Sequence, residues 1–295
     1  MVLCEVQATG NFALTWLALT VSGFLFIMLS SGVAFKYLYW APTFKTWRSK
    51  VNPKYPSPEK VREEIIMMAK GMLSATLCPT LSLSLSQWGY SQAYCGVQPY
   101  GWAYLVLSTL GVAAASDLFE WFYHYLGHTT VFGWQNHKPH HQFSNPTPFA
   151  VISDDYFDQF VRASPLLVFP LLVPVNMDAM FTTYLVFFYL YGIVLHSGHE
   201  MDYPDAHHPI VNTSYHHYLH HAKSTMNKPY HTGFFIKLWD NLAGSTWPNA
   251  CLCVKCQIAA GKRTEEEWKQ TRATLPDYSV LLSPSFWLKE GKKAA

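Results

Sequence analysis

The sequence predicts an all-α fold, an integral membrane bundle of about four to five membrane helices with a histidine-rich helical cap at one aqueous face. Three observations predict it. Half of the 295 residues are hydrophobic and only 14% are charged, against about 25% in an ordinary soluble domain. The uncharged residues fall in runs long enough to cross a bilayer. All 14 histidines lie between His124 and His231.

The first run, 11–35, carries no charge over 25 positions. It exceeds the ~20 residues that a spanning helix needs and is too long for a signal-peptide core, so it reads as a retained anchor. A second run, 71–116, holds two spans joined at the turn-like stretch "QWGYSQAYCGVQPYG". Two apolar blocks, 163–177 and 179–195, are parted by Asp178 and contain Pro165, Pro170 and Pro174. They predict a hairpin of membrane helices whose first arm is short for a full crossing.

Lysine and arginine placement orients these spans. Lys36, Lys45, Arg48, Lys50, Lys54, Lys60, Arg62 and Lys70 crowd one interspan segment, whereas residues 1–11 and 87–101 hold none. Positive charge favours the cytosolic side, so the 36–70 segment is expected there and the 87–101 turn in the lumen. The third span then returns the chain to the cytosol where the histidines begin, and the hairpin enters and leaves on that face. The expected organisation is an anchor region, 1–116, a histidine region with the hairpin, 117–250, and a cytosolic tail, 251–295.

The net charge of +2 points to no acidic partner. The basic segment is explained as a membrane flank, and nothing suggests nucleic acid. The six cysteines show no disulfide framework. "CLCVKC" (251–256) contains one CxxC pair, but zinc would need two more ligands nearby, so it reads as reduced cytosolic thiols open to lipidation, with a metal site as the alternative.

The histidines carry the chemistry. In "HYLGH", His124 and His128 stand four apart on an apolar helical stretch and share one face. In "HKPHH", His137, His140 and His141 follow at i, i+3 and i+4, a spacing that suits a helix starting at Pro139. In "HHYLHH" the same triplet returns as His217, His220 and His221. Eight neutral imidazoles are too many for one four-coordinate ion, so the cap is expected to hold two metals. His196 is the best ninth ligand and His199 a candidate tenth. Ligating imidazoles usually give their other N–H to an acceptor, and Asp117, Glu120 and Asp240 are the expected carboxylates. His207, His208, His216 and His231 read as solvated or satisfied polar residues. A histidine-rich metal transporter would instead place its ligands within the spans or in disordered tracts.

From about Asp117 to Trp247 the chain resembles the fatty acid hydroxylase/sterol desaturase superfamily of membrane di-iron enzymes, and within it the sterol C5-desaturases. The resemblance rests on "HYLGH", "HKPHH" followed by "NPTPFA", "LHSG", "PIVNTSYHHYLHH" and "GFFIKLWDNLAGS". The chain departs from that pattern at "ISDDYFDQF", where Asp155 stands near a usual histidine, and in a longer loop that has His231 in place of asparagine. The resemblance implies two iron ions, replaceable by adventitious zinc, and a sterol substrate. It also implies electrons from NADH through cytochrome b5 reductase and cytochrome b5, with hydroxylation or C4-methyl oxidation of another lipid as the alternative reaction. Two sequence signals add an address. "KKAA" at the C-terminus resembles a dilysine signal for the endoplasmic reticulum, and the "NTS" sequon at Asn212 should stay bare in a cytosolic loop.

Overall fold

The computed structural model describes residues 10–98 and 100–288, so "KKAA" lies outside the described residues. The chain forms helices α1 (Phe12–Phe35), α2 (Phe44–Ser49), α3 (Pro58–Ala75), α4 (Leu77–Gln87), α5 (Gly101–Thr129) and α6 (Val131–His137). It continues through α7 (Tyr156–Ala163), α8 (Pro165–Leu172), α9 (Met177–Thr183), α10 (Tyr191–His196) and α11 (Ser214–Lys223). The last are α12 (Leu238–Ala243), α13 (Val254–Ala259), α14 (Glu265–Arg272) and α15 (Pro284–Leu288). Among the described residues β-pairing is limited to four isolated bridges, and the fold is all-helical as predicted.

Among the described residues four stretches are long and apolar enough to cross a membrane: Phe12–Trp40, Pro58–Gln87, Gly101–Thr129 and Met177–His196. The first begins where the Asn11 side chain accepts the Leu14 N–H at 3.0 Å, and π-helical turns carry it on from Lys36 to Trp40. Its outer face leaves Leu17, Leu25, Leu29 and Val33 exposed, as lipid contact requires. The second span starts at Pro58, well before the charge-free run. Its amphipathic first half turns Val61, Ile65, Met68 and Met72 into the core, a pattern that a search for uncharged runs misses.

α5 is 29 residues long, about 44 Å at 1.5 Å per residue, against a hydrocarbon core of about 30 Å. Its last turns therefore project beyond the apolar layer, carrying His124 and His128 with them.

The hairpin reaches further than its first arm suggested. α7 and α8 follow one another with only Ser164 between, and Val173 is extended. The tip then meets the 88–98 turn. Tyr94 N–H donates to Val175 O at 2.9 Å, Met177 N–H to Tyr94 O at 3.0 Å, and the Tyr104 hydroxyl to Pro174 O at 2.8 Å. In that turn Cys95 is disulfide-bonded, which corrects the expectation of no disulfide framework.

The opposite end gathers the basic segment, the histidines and the C-terminal helices. Val51 N–H donates to Gly198 O at 2.9 Å and Glu200 N–H to Ser49 O at 2.8 Å. Trp47 of α2 meets Trp268 of α14 with ring centroids 5.7 Å apart. Gly71 lets α3 close on the 148–152 turn, because a Cβ there would collide with the Ile152 carbonyl. The residue after that turn, Ser153, helps to hold a histidine.

Candidate metal centre

The boxes are split between two clusters. His124, His128, His137, His141 and His220 form one group, and His140, His196, His217 and His221 another. Within each group the nitrogens all lie within 4.8 Å of one another. The nine residues are the eight box histidines and the expected ninth. His199 joins neither group. Its Nδ1 pairs with Ser197 O at 2.8 Å, and its ring packs on Tyr39 beside Lys50.

Local backbone explains the split. α5 sends His124 and His128 out one turn apart. No helix starts at Pro139 to carry the second box, as the sequence suggested. α6 ends at His137, and after Pro139 a short 3-10 turn spans His140–Gln142. Proline has no N–H to continue the ladder, so the chain turns and the box divides. His137 and His141 face the first group, and His140 the second. On α11 the i, i+4 pair His217 and His221 enters the second group while His220 enters the first. α10 ends at His196, completing the second group.

Hydrogen bonds fix which nitrogen points inward. The Nδ1–H of His124 donates to Thr232 O at 2.9 Å, that of His128 to Thr225 O at 3.2 Å, and that of His220 to Tyr230 O at 2.8 Å. His196 Nδ1–H donates to Gly192 O at 2.7 Å and His140 Nδ1–H to Ser153 O at 3.2 Å. A carbonyl only accepts, so each of these rings carries its proton on Nδ1 and presents a bare lone pair at Nε2. Yet Nε2 of His196 lies 3.4 Å from Nε2 of His140. Two lone pairs cannot hydrogen-bond each other. His124, His128 and His220 likewise aim buried Nε2 atoms inward with no protein partner. A cation between the nitrogens resolves both facts, and neutral nitrogen donors suit iron, zinc or copper.

Burial keeps these rings neutral. It pushes His140 down to about 4 and holds His137, His141, His217, His220 and His221 well below the usual histidine range, each helped by neighbouring imidazoles except His140.

Of the three expected carboxylates, none touches an imidazole. Asp117 accepts Phe235 N–H and Trp239 Nε1–H, each at 2.8 Å. Asp240 accepts Thr232 N–H at 3.0 Å and Gly233 N–H at 2.8 Å, so it fixes the residue whose carbonyl holds His124. Glu120 is ion-paired with Arg162. The contacts are made instead by two acids the sequence reading missed. Asp158 Oδ2 lies 2.9 Å from His137 Nδ1, and Asp154 Oδ1 lies 3.0 Å from His140 Nδ1. The signal was present in "DDYFDQFVR". Asp154, Asp158 and Arg162 are spaced by four, and acids are scarce in this chain. Burial pushes Asp158 up to about 7 and Asp154 well above its ordinary value.

Three further histidines cap backbone N–H groups. His216 Nδ1 accepts the Thr213 N–H at 3.1 Å in a capping box at the start of α11. His231 Nε2 accepts the Trp247 N–H at 3.1 Å, and His208 Nδ1 the Val211 N–H at 3.0 Å.

A cavity opens beside the histidines. His124, His140, His196 and His217 line its inner end with Gln159 and the Glu120–Arg162 pair, and Ile152, Tyr184, Phe188, Tyr189 and Phe234 line the rest. Tyr184 and Tyr189 also line an apolar cleft with Phe26, Ile27, Met72, Leu166 and Phe181, between the first, second and fourth spans and α8.

Residues 109–245 match the fatty acid hydroxylase family. The chain is 32% identical over 192 residues to lathosterol oxidase of Mus musculus, covering 63% of this chain and 61% of that one. Lathosterol oxidase of Homo sapiens is 31% identical over 189 residues, with the same coverage. A Delta(7)-sterol 5(6)-desaturase of Aspergillus fumigatus is 26% identical over 267 residues, 90% of this chain and 69% of that one. The chain thus spans about three fifths of the length of the mammalian relatives. No solved structure matches it.

Proposed function

We propose that this chain is a membrane-bound oxidoreductase of the fatty acid hydroxylase family that introduces the C5–C6 double bond into a delta-7 sterol. The observation that carries the reading is the pair of facing lone pairs, His140 Nε2 and His196 Nε2, with the same inward aim in the neighbouring group. Nine neutral imidazoles in two groups fit two iron ions. Bound iron would supply the oxidising power, drawn from O2, that an unactivated C–H bond requires. In balance, the sterol loses one hydrogen from C5 and one from C6. These two hydrogens, with the two electrons and one proton of the NADH hydride and one further proton, reduce O2 to two molecules of water. Cytochrome b5 and its reductase are the proposed carriers, and the basic segment on the histidine side offers an acidic donor a complementary surface.

The chain's own residues bind and orient. The apolar cleft lets a hydrocarbon body enter from the lipid, and Tyr184 and Tyr189 stand where cleft and cavity meet. At the inner end, Gln159 and the Glu120–Arg162 pair offer partners to the sterol hydroxyl, which lies close to C5 in the same ring. Carbonyls hold His124, His128, His140, His196 and His220 in the neutral, Nε2-presenting form, and Asp158 holds His137. We assign the protein to the endoplasmic reticulum membrane with its C-terminus cytosolic. The disulfide-bonded Cys95 supports this, because it sits in the turn opposite the histidines and disulfides persist in the oxidising lumen.

The test is expression in cells lacking their own C5-desaturase, followed by sterol profiling. A restored 5,7-diene supports the reading. A hydroxylated or C4-oxidised lipid without diene overturns the desaturation and keeps the family chemistry.

A further inference from the structure

The "CLCVKC" stretch lacked two ligands when read as sequence. The fold supplies one from a distant loop and one from within the stretch. His207 reaches over from the 202–208 loop, so that its Nε2 lies 3.3 Å from Cys253 Sγ and 3.7 Å from Cys256 Sγ. Cys251 closes the group, and the four ligand atoms lie within 4.8 Å of one another. The geometry points to a second, separate metal site, in which Cys251, Cys253, Cys256 and His207 bind one structural zinc ion.

Three sulfurs and one imidazole are a donor set of closed zinc sites, which hold no open position for chemistry. With Zn–S near 2.3 Å and Zn–N near 2.0 Å, a tetrahedron sets its ligand atoms about 3.5–3.8 Å apart, close to the sulfur–nitrogen separations found. Backbone amides already face the sulfurs. Cys253 N–H points at Cys251 Sγ at 3.5 Å and Cys256 N–H at Cys253 Sγ at 3.4 Å, so that two of the sulfurs are oriented by the backbone. The three cysteines are free.

The site would staple two pieces of chain together, the 202–208 loop and the 251–256 stretch, beside α11. Cys253 packs in one apolar cluster with Val51, Ala206, Tyr215 and Leu219, the last two on the outer face of α11. Tyr215 accepts the Leu252 N–H at 3.0 Å, Val254 N–H donates to Glu200 at 2.7 Å, and Lys255 pairs with Asp205. Zinc would lock the C-terminal segment against the helix whose inner face carries the third histidine box. The inference does not depend on the proposed reaction.

The experiment is metal analysis of the full-length protein purified in detergent after growth with iron and zinc. Wild type should hold one zinc per chain in addition to the metal of the histidine groups. Cys253→Ser and His207→Ala should lose that zinc and keep the other metal, while Cys256→His, which preserves four ligands, should retain it. Zinc-edge absorption of the wild type should show three sulfurs and one nitrogen, which settles the matter even if a variant fails to fold. Zinc content unaltered in both loss variants, a sulfur-free zinc shell, or a disulfide between two of these cysteines would each overturn the site.

Discussion

The two histidine groups look alike but are held differently. In the first, four of the five rings are tied to groups brought from elsewhere, and His141 alone has an Nδ1 with no protein partner. Thr225, Tyr230 and Thr232 offer carbonyls from the loop after α11, and Asp158 reaches in from α7. In the second, His196 is tied to Gly192 on its own helix and His140 to Ser153 nearby, while Nδ1 of His217 and His221 has no protein partner. The second group also supplies most of the imidazoles that line the cavity. The first is therefore the more rigidly built and the second the more open to substrate. An outer hydrogen-bond partner typically governs a ligand's affinity by about 10–100-fold, so the groups should respond differently to the same kind of damage.

The largest effect is expected from deleting a ligand. His140→Ala leaves the second group three imidazoles, whereas His220→Ala leaves the first group four. Both should abolish turnover, and the fall should exceed the ~100-fold upper range for outer partners. Bound metal should drop further in His140→Ala. Metal content and sterol product on protein still in the membrane check this. Full metal occupancy in His140→Ala would break the distinction, and unchanged lipid products with altered metal uptake would favour a transporter.

Removing an outer partner comes next. Asp158→Asn keeps the shape but withdraws the negative oxygen facing His137 Nδ1, so metal affinity should fall about 10–100-fold in the first group only. Competitive chelation read at two metals per chain separates the groups. Equal weakening of both would show that they behave as one unit.

A smaller effect belongs to the acid stability of the metal-free protein. Burial pushes His231 down to about 4, from about 6.5 when unfolded. Between those values the unfolded chain binds the extra proton, so stability is full above pH ~6.5 and is lost as pH falls toward 4. At ~1.4 kcal/mol per unit, His231 accounts for roughly 3 kcal/mol of that loss at most. His231→Asn should flatten the profile of thermal unfolding against pH in that window. A profile unaltered by the substitution would mean that His231 is charged in the folded protein.

The sequence disclosed periodic and compositional features and hid those created by folding. The first span showed because 25 uncharged residues have no other comfortable place. The boxes showed because i, i+3 and i+4 share a helix face, yet their division into two groups did not, since it hangs on the turn after Pro139. Half of the second span was masked by charge, Glu59, Lys60, Glu63 and Lys70 on its outward face and Glu64 buried within. Acid type and proximity in sequence point to Asp117, Glu120 and Asp240 as the imidazoles' partners, whereas neighbouring carbonyls and Asp158 fill that role. Those partners come from segments that only the fold brings close. His207 and the three cysteines lie 44 or more residues apart in sequence, and their meeting was illegible for the same reason.

The smallest expected effect is no effect, at the Asn212 sequon. Asn212 is 1% exposed, its N–H donates to Phe235 O at 3.0 Å, and its carbonyl accepts the Tyr191 hydroxyl. Burial alone would not keep it bare, because a glycan is added to the chain as it enters the lumen, before such packing forms. What should keep it bare is orientation. The residue lies two positions before α11, at the end that also holds the basic 36–57 segment, and positive charge favours the cytosol. Wild type and Asn212→Gln should therefore migrate identically with and without glycosidase. A sensitive mass shift in the wild type alone would overturn the orientation. It would also mean that the glycosylated fraction cannot close the loop that carries Thr232 and holds His124, so that fraction should bind less metal in the first group than in the second.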